Sequence, residues 1–268
     1  MGEQSRHDAW SAGDSYDRYM GRWSRLIAPR FLAWIDPPRD KEWLEVGCGT
    51  GALSKAILDQ CAPRRLTAIE PSEGFLAQAR LNVPDPRVEF RPGDAQDLPI
   101  EADSQDVVVS ALVLNFVPDR LRALSEMRRV ARRGATIAFY VWDYPAGGIQ
   151  FMRAFWTAAA TLDPRASDLT EDKRFPFCTQ ERLTELAREA GLASVESTSL
   201  EAPTVFTNFE DYWQPFTLGA GPAPGYCTSL DPEARQRLRK QLETMLPREP
   251  DGSIHLKARA WGVRALVP

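Results

Sequence analysis

The sequence predicts an α/β protein built on a doubly wound, mostly parallel sheet. Three observations point there. Trp43-Leu44-Glu45-Val46 is a short run with the apolar, β-prone character of a strand covered on both faces. Gly47-Cys48-Gly49-Thr50-Gly51 follows it, with a glycine at every second position. A helical pattern then starts at Ala52, so its unpaired N–H groups point back at the turn. Strand, glycine turn and helix N-terminus together make a nucleotide-type binding site. Glycine lacks a Cβ, so it takes positive φ and admits a ligand close to the backbone.

The turn alone leaves two readings open. Gly47, Gly49 and Ala52 also satisfy the G-x-G-x-x-G/A pattern of NAD-binding folds. Glu45 lies at the strand end, where an acid can accept from a cationic amine. Glu70 closes a second apolar strand, Leu66-Thr67-Ala68-Ile69, about 20 residues beyond the turn, where an acid can hold both hydroxyls of a ribose. A third strand, 88–91, leads into Gly93-Asp94-Ala95 and a further carboxylate.

The set Glu45-Val46-Gly47-Cys48-Gly49-Thr50-Gly51, Glu70-Pro71-Ser72, Gly93-Asp94-Ala95-Gln96-Asp97-Leu98-Pro99 and Asp106-Val107-Val108-Val109-Ser110 resembles the class I S-adenosylmethionine (SAM) dependent methyltransferases, of the small-molecule, methyltransferase domain 11 type. The resemblance is close over about 40–145 and loose beyond. It implies a Rossmann-like, mostly parallel seven-stranded sheet with an antiparallel edge strand, carrying helical inserts. It implies SAM as cofactor, with S-adenosylhomocysteine (SAH) as product. Its implied cofactor contacts are Glu45, the turn Gly47, Cys48, Gly49 and Gly51, Glu70 and Pro71 at the ribose, Asp94 and Ala95 at the adenine, and Ala111 and Leu112 at the methionine part. Asn115 stands where many relatives carry histidine.

Ahead of the core, Tyr16, Tyr19, Arg22 and Trp23 crowd a short segment. In the resembling family such a segment lies over the cofactor. Tyr19 and Arg22 are thus candidate cofactor contacts, since an arginine can hold a carboxylate bidentately. Tyr16 and Trp23 are candidate substrate contacts. The plainer reading is that Tyr19 and Trp23, four apart, share one apolar helix face. A helix follows through Leu26, Ile27, Phe31, Leu32 and Trp34, and Pro37-Pro38 stops it.

Further along, strand 106–111 precedes helix 119–132, which Gly134 closes as a C′ residue, and then strand 135–142. Helices are expected at 151–162, 181–190 and 232–245, and a strand at 194–200. One of the segments 254–258 and 262–267 should be the antiparallel strand. A single domain is expected: 1–40 a lid, 41–145 the SAM-binding core, and 146–180 and 207–252 inserts on the substrate side. The aromatics Trp142, Phe175 and Trp213 are candidate substrate contacts, against the reading that each is core.

Methyl transfer needs positioning and desolvation more than acid–base chemistry. A hydroxyl acceptor would still gain from a base. Asp143, at a strand end, is the candidate, and a turn former otherwise. His7 and His255, the only histidines, read as solvated or structural.

Bulk properties narrow the class. With 26% charged and 43% hydrophobic residues the composition is that of a globular protein. A net charge of −4 argues against a nucleic-acid partner. Arg128, Arg129, Arg132 and Arg133 read as a solvated helix end. Cys48, Cys61, Cys178 and Cys227 lack zinc-site spacing, and no metal is expected. No apolar run reaches membrane-spanning length, so no membrane partner and a cytoplasmic location are expected. The expected function is methyl transfer to an N, O, S or C atom of a small hydrophobic or aromatic acceptor, by a monomer or homodimer. A macromolecular substrate and a SAM-binding module without transfer are the alternatives.

Overall fold

The computed structural model describes residues 17–219 and 221–268; Tyr16 and His7 lie outside them. The chain divides into two compact units. One, the sheet unit, comprises Ser24–Trp142, Phe177–Leu200 and Ala260–Pro268. The other, the insert unit, comprises Met1–Trp23, Asp143–Pro176 and Glu201–Arg259.

The sheet has seven strands: β1 (Glu42–Val46), β2 (Arg65–Glu70), β3 (Val88–Pro92), β4 (Gln105–Ala111), β5 (Ala131–Trp142), β6 (Ala193–Phe206) and β7 (Ile254–Leu266). Their order is β3-β2-β1-β4-β5-β7-β6. Strands β1 to β5 pair in parallel, and β7 runs antiparallel to β5. The expected antiparallel strand is therefore present, and both C-terminal segments join in it. It lies inside β6, which takes the edge. Outward from β1 the chain adds β2 and β3 on one side, then returns to add β4 on the other. The crevice at the carboxyl ends of β1 and β4 is the switch point where such sheets bind ligands.

Burial explains the strands. Trp43, Leu44, Val46, Leu66, Ala68, Val107, Val108 and Val109 are all buried, as a sheet covered on both faces requires. The connecting helices are α1 (Arg22–Ile35), α2 (Ala52–Gln60), α3 (Glu73–Asn82) and α4 (Arg120–Val130). Each has one apolar stripe; α4 buries Ala123, Leu124, Met127 and Val130. Asp119 caps α4 by accepting from the Arg122 N–H at 2.9 Å.

Two expectations at this helix are corrected. It stops at Val130, and Gly134 is not its C′ residue. The chain is already extended from Ala131, paired with Gln105, and Arg132 reaches Asp106 at 2.6 Å. An ion pair and a strand bulge hold the Arg132-Arg133 stretch out of the helix, so only Arg128 and Arg129 occupy its last turn. In the first helix Ile27, Phe31 and Leu32 are buried, while Leu26 is exposed. The sheet unit also holds α7 (Gln180–Glu189).

The insert unit contains α5 (Gln150–Leu162), α6 (Glu171–Arg174), α8 (Phe209–Trp213), α9 (Pro222–Ser229) and α10 (Pro232–Met245). Its core is aromatic. Phe155 and Phe216 stack at 4.4 Å, Trp23 meets Phe206 at 5.1 Å, and Tyr19 meets Phe216 edge-on at 5.4 Å. The Tyr212 hydroxyl donates to the Phe151 carbonyl at 2.8 Å. Among the described residues no helix is long and apolar enough to cross a membrane, and no cluster suits a metal ion.

Candidate active site

The glycine turn closes the carboxyl end of β1. Gly47 and Cys48 both donate to the Ile69 carbonyl, at 2.7 and 3.0 Å, which ties the turn to β2. Gly47, Gly49 and Gly51 have φ of 78°, 53° and 90°, so each sits in the left-handed region. Their reasons differ. A Cβ on Gly47 would lie 2.3 Å from Val113 Cγ2, so the chain after β4 fills that space. A Cβ on Gly49 would meet nothing within 4 Å. Gly49 thus leaves an open cradle beside the backbone, and Gly51 starts α2 as its N-cap.

Two acids face this turn. Glu70 ends β2 and is buried; it accepts from the Gly49 and Ser72 N–H groups, each at 3.1 Å. Burial pushes its carboxyl up, and these two bonds pull it back in part. Glu45 in β1 is buried too, and accepts from Ser54 Oγ on α2 at 2.5 Å. Burial raises its carboxyl to about 8, the Ser54 bond opposes this, and the Glu70 charge adds to it. No cation is among these causes. A buried acid without a cation suits a ligand that brings an amine, and an open cradle between two acids suits a ribose. The residues therefore fit SAM.

The remaining expected contacts are placed as follows. Asp94 is exposed and accepts from its own turn, the Gln96 N–H at 2.8 Å. That is turn chemistry, and it leaves the second oxygen with only a 3.4 Å contact to the Gln96 amide. Ala95 is half-buried and Pro71 exposed. Ala111 ends β4, and Leu112 turns the chain sharply with φ 61° while donating to the Tyr140 carbonyl at 2.8 Å. Cys48 is buried. Glu45, the three glycines, Cys48, Glu70, Pro71, Asp94, Ala95, Ala111 and Leu112 all belong to the sheet unit.

Tyr19 and Arg22 belong to the insert unit. Arg22 pairs with Asp211 at 2.7 Å, donates to the Val205 carbonyl, and lies 4.2 Å from the Trp23 ring. Its guanidinium is thus already engaged within its own unit. Tyr19 and Trp23 are core of that unit, as their spacing on one helix face suggests. Phe175 is buried against Tyr144, and Trp213 stacks on Phe209. Trp142 is buried in β5.

Asp143 is 1% exposed and held on all sides. Its Oδ2 accepts from Arg259 Nε and Nη2, at 2.8 and 2.5 Å, and its Oδ1 from the Ala146 N–H at 3.1 Å. These contacts make it an anchor for the chain leaving β5 rather than a free base. Sequence reasoning missed its partner, which lies in β7. It also missed Ser54, Val113 and Glu171, a buried acid of the insert unit whose Oε2 accepts from Trp156 Nε1 at 2.5 Å. Asn115 is buried with neither side-chain amide atom partnered.

A family model described as a methyltransferase domain matches residues 44–139. The chain is 30% identical over 181 residues to a demethylmenaquinone methyltransferase of Clavibacter sepedonicus, covering 64% of this chain and 73% of that protein. The chain belongs to the SAM-dependent methyltransferases. It is also 28% identical to a malonyl-[acyl-carrier protein] O-methyltransferase of Geobacter sulfurreducens, over 64% of this chain and 62% of that one. A solved methyltransferase in complex with the Haloferax volcanii Trm112 activator superposes with a TM-score of 0.63 at 19% identity, covering 98% and 97% of the two chains. That last likeness is one of fold. The match to the Geobacter relative leaves over a third of that protein's length uncovered. The methyltransferase reading decides between the two nucleotides left open by the glycine turn: the cofactor is SAM.

Proposed function

We propose that this methyltransferase modifies a small hydrophobic or aromatic molecule at an N, O, S or C atom. One observation carries the proposal. The insert unit lines a half-open cavity of about 380 Å³, with Tyr144, Ile149, Met152 and Trp156 in its wall. That volume suits a small organic molecule, and a wall that mixes these apolar side chains with Thr157, Ser167, Thr170 and charged groups can orient one. The Clavibacter and Geobacter relatives are named for demethylmenaquinone and for malonyl-[acyl-carrier protein].

In the sheet unit, Glu70 would hold the ribose hydroxyls, Glu45 the amine of the methionine end, and Asp94 with Ala95 the adenine edge. Gly49 would give the close backbone approach. SAM supplies an electrophilic methyl group on a sulfonium, which an acceptor lone pair displaces. The protein's share is then to position the donor and exclude water. Asp143, paired with Arg259, would serve by fixing the chain at Tyr144 to Gly148.

The test is transfer of a labelled methyl group from SAM to a panel of small aromatic and aliphatic acceptors. Label entering one class of small acceptor supports the proposal. Label entering only RNA or protein would reject it, as would an acceptor-bound structure with no contact from residues 149–180 or 207–230.

A further inference from the structure

The insert-unit cavity has one charged group that the core of the unit leaves unsatisfied. Glu171 lines it, from the short helix α6, and is 5% exposed. Trp156 Nε1 occupies its Oε2, while Oε1 is buried with no hydrogen-bond partner. No ion pair reaches this carboxyl among the described residues. An acid so placed costs free energy unless it is neutral or meets a donor. Burial accordingly raises Glu171 to about 7, while its own backbone N–H, the Trp156 bond and Arg174 pull it down in that order and Asp172 adds to the rise.

The rest of the wall has the matching character. Asp143 and Asp172 add carboxylates, the first already neutralised by Arg259. Among the described residues Arg153 is the one cation on the wall, and it is exposed against Gly147. The rings of Tyr144 and Trp156 supply π-faces. Carboxylate plus aromatic faces is the chemistry that recognises an organic cation.

We infer that this cavity binds a small aromatic amine in its protonated form, with the ammonium on Glu171 and the ring against Trp156 and Tyr144. The inference rests on the proposed reading of the cavity as the acceptor's seat, and narrows the acceptor to an amine-bearing class.

Calorimetric titration with three probes of one size tests it: benzylamine, benzyl alcohol and benzoate, on the full chain and on Glu171→Gln. Gln keeps an oxygen for Trp156 and removes the charge, and a retained SAH response shows that the variant is folded. Benzylamine should bind most tightly, and Glu171→Gln should weaken it by roughly tenfold or more. At pH 7 its binding should release about half a proton, because the ammonium ionises a carboxyl that is half protonated there. A merely structural Glu171 would release none. Equal benzylamine binding by Glu171→Gln, a preference for benzoate, or no probe bound by a protein that still binds SAH overturns the inference. The last result leaves the methyltransferase reading intact; loss of the SAH response in the unaltered chain would instead count against that reading.

Discussion

Glu45 of β1 and Ser54 of α2 are joined by a 2.5 Å hydrogen bond that spans the glycine turn. Strand, turn and helix are thereby fixed as one body around the ligand cradle. The bond accompanies a carboxyl that burial lifts from the ordinary 4.5 to about 8.

That shift has a sign. Glu45 binds its proton more tightly folded than unfolded, so its contribution is full below the unfolded value near 4.5. It is lost as pH rises toward about 8. The cofactor-free protein should therefore lose stability across this range. Glu171 adds in the same direction up to about 7. Glu70, which burial also raises, adds in the same direction, and Glu45→Gln should make the slope up to pH 8 shallower. Urea unfolding at several pH values, on both proteins, checks this. A slope unchanged by the substitution would refute the buried, proton-holding Glu45.

Gly47 and Gly49 should respond differently to alanine. At Gly47 the new Cβ would collide with Val113 at 2.3 Å, on a backbone at φ 78°. Overpacking and left-handed strain together should cost about 2–4 kcal/mol. At Gly49 the Cβ enters open space, so only the backbone strain of about 1–2 kcal/mol applies. Its main effect should be weaker SAH binding, because the methyl group fills the cradle. Thermal unfolding with and without SAH separates the two.

Asp143→Asn should act on stability before chemistry. The substitution removes a carboxylate that is 1% exposed and leaves Arg259, itself 31% exposed, to be hydrated. We expect a loss of about 1–3 kcal/mol, with SAH affinity unchanged. Denaturant titration gives the first and calorimetry the second. A variant with full stability and greatly reduced turnover would restore Asp143 as a base.

The sheet core was legible because its signals are local. Trp43-Leu44-Glu45-Val46 states a covered strand, and the glycines state a turn whose φ values no other residue adopts cheaply. Glu70 could be found because a second apolar strand ends on it. What escaped depends on distant chain. Arg259 turns Asp143 into an anchor from 116 residues away. Val113 gives Gly47 its packing reason, and nothing in either neighbourhood announces the pair. Glu171 sits in a stretch that reads as a polar loop, 163–174, and only Trp156 and burial distinguish it from its exposed neighbours Asp172 and Lys173. Arg22 illustrates the converse: the resemblance implied a cofactor contact, and Asp211 holds it within the insert unit. At Arg132-Arg133, a pairing partner across the sheet overrode the helical pattern.

The central claim is that the turn from Gly47 to Gly51, with Glu70, seats SAM. Its most direct test is calorimetric titration of the protein with SAH and with NAD, repeated on Glu70→Ala. SAH should bind the unaltered chain and NAD should not. Glu70→Ala should weaken SAH by roughly tenfold or more, since it loses charged hydrogen bonds to the ribose. Binding of NAD in place of SAH, or SAH binding indifferent to Glu70, would contradict the account at its root.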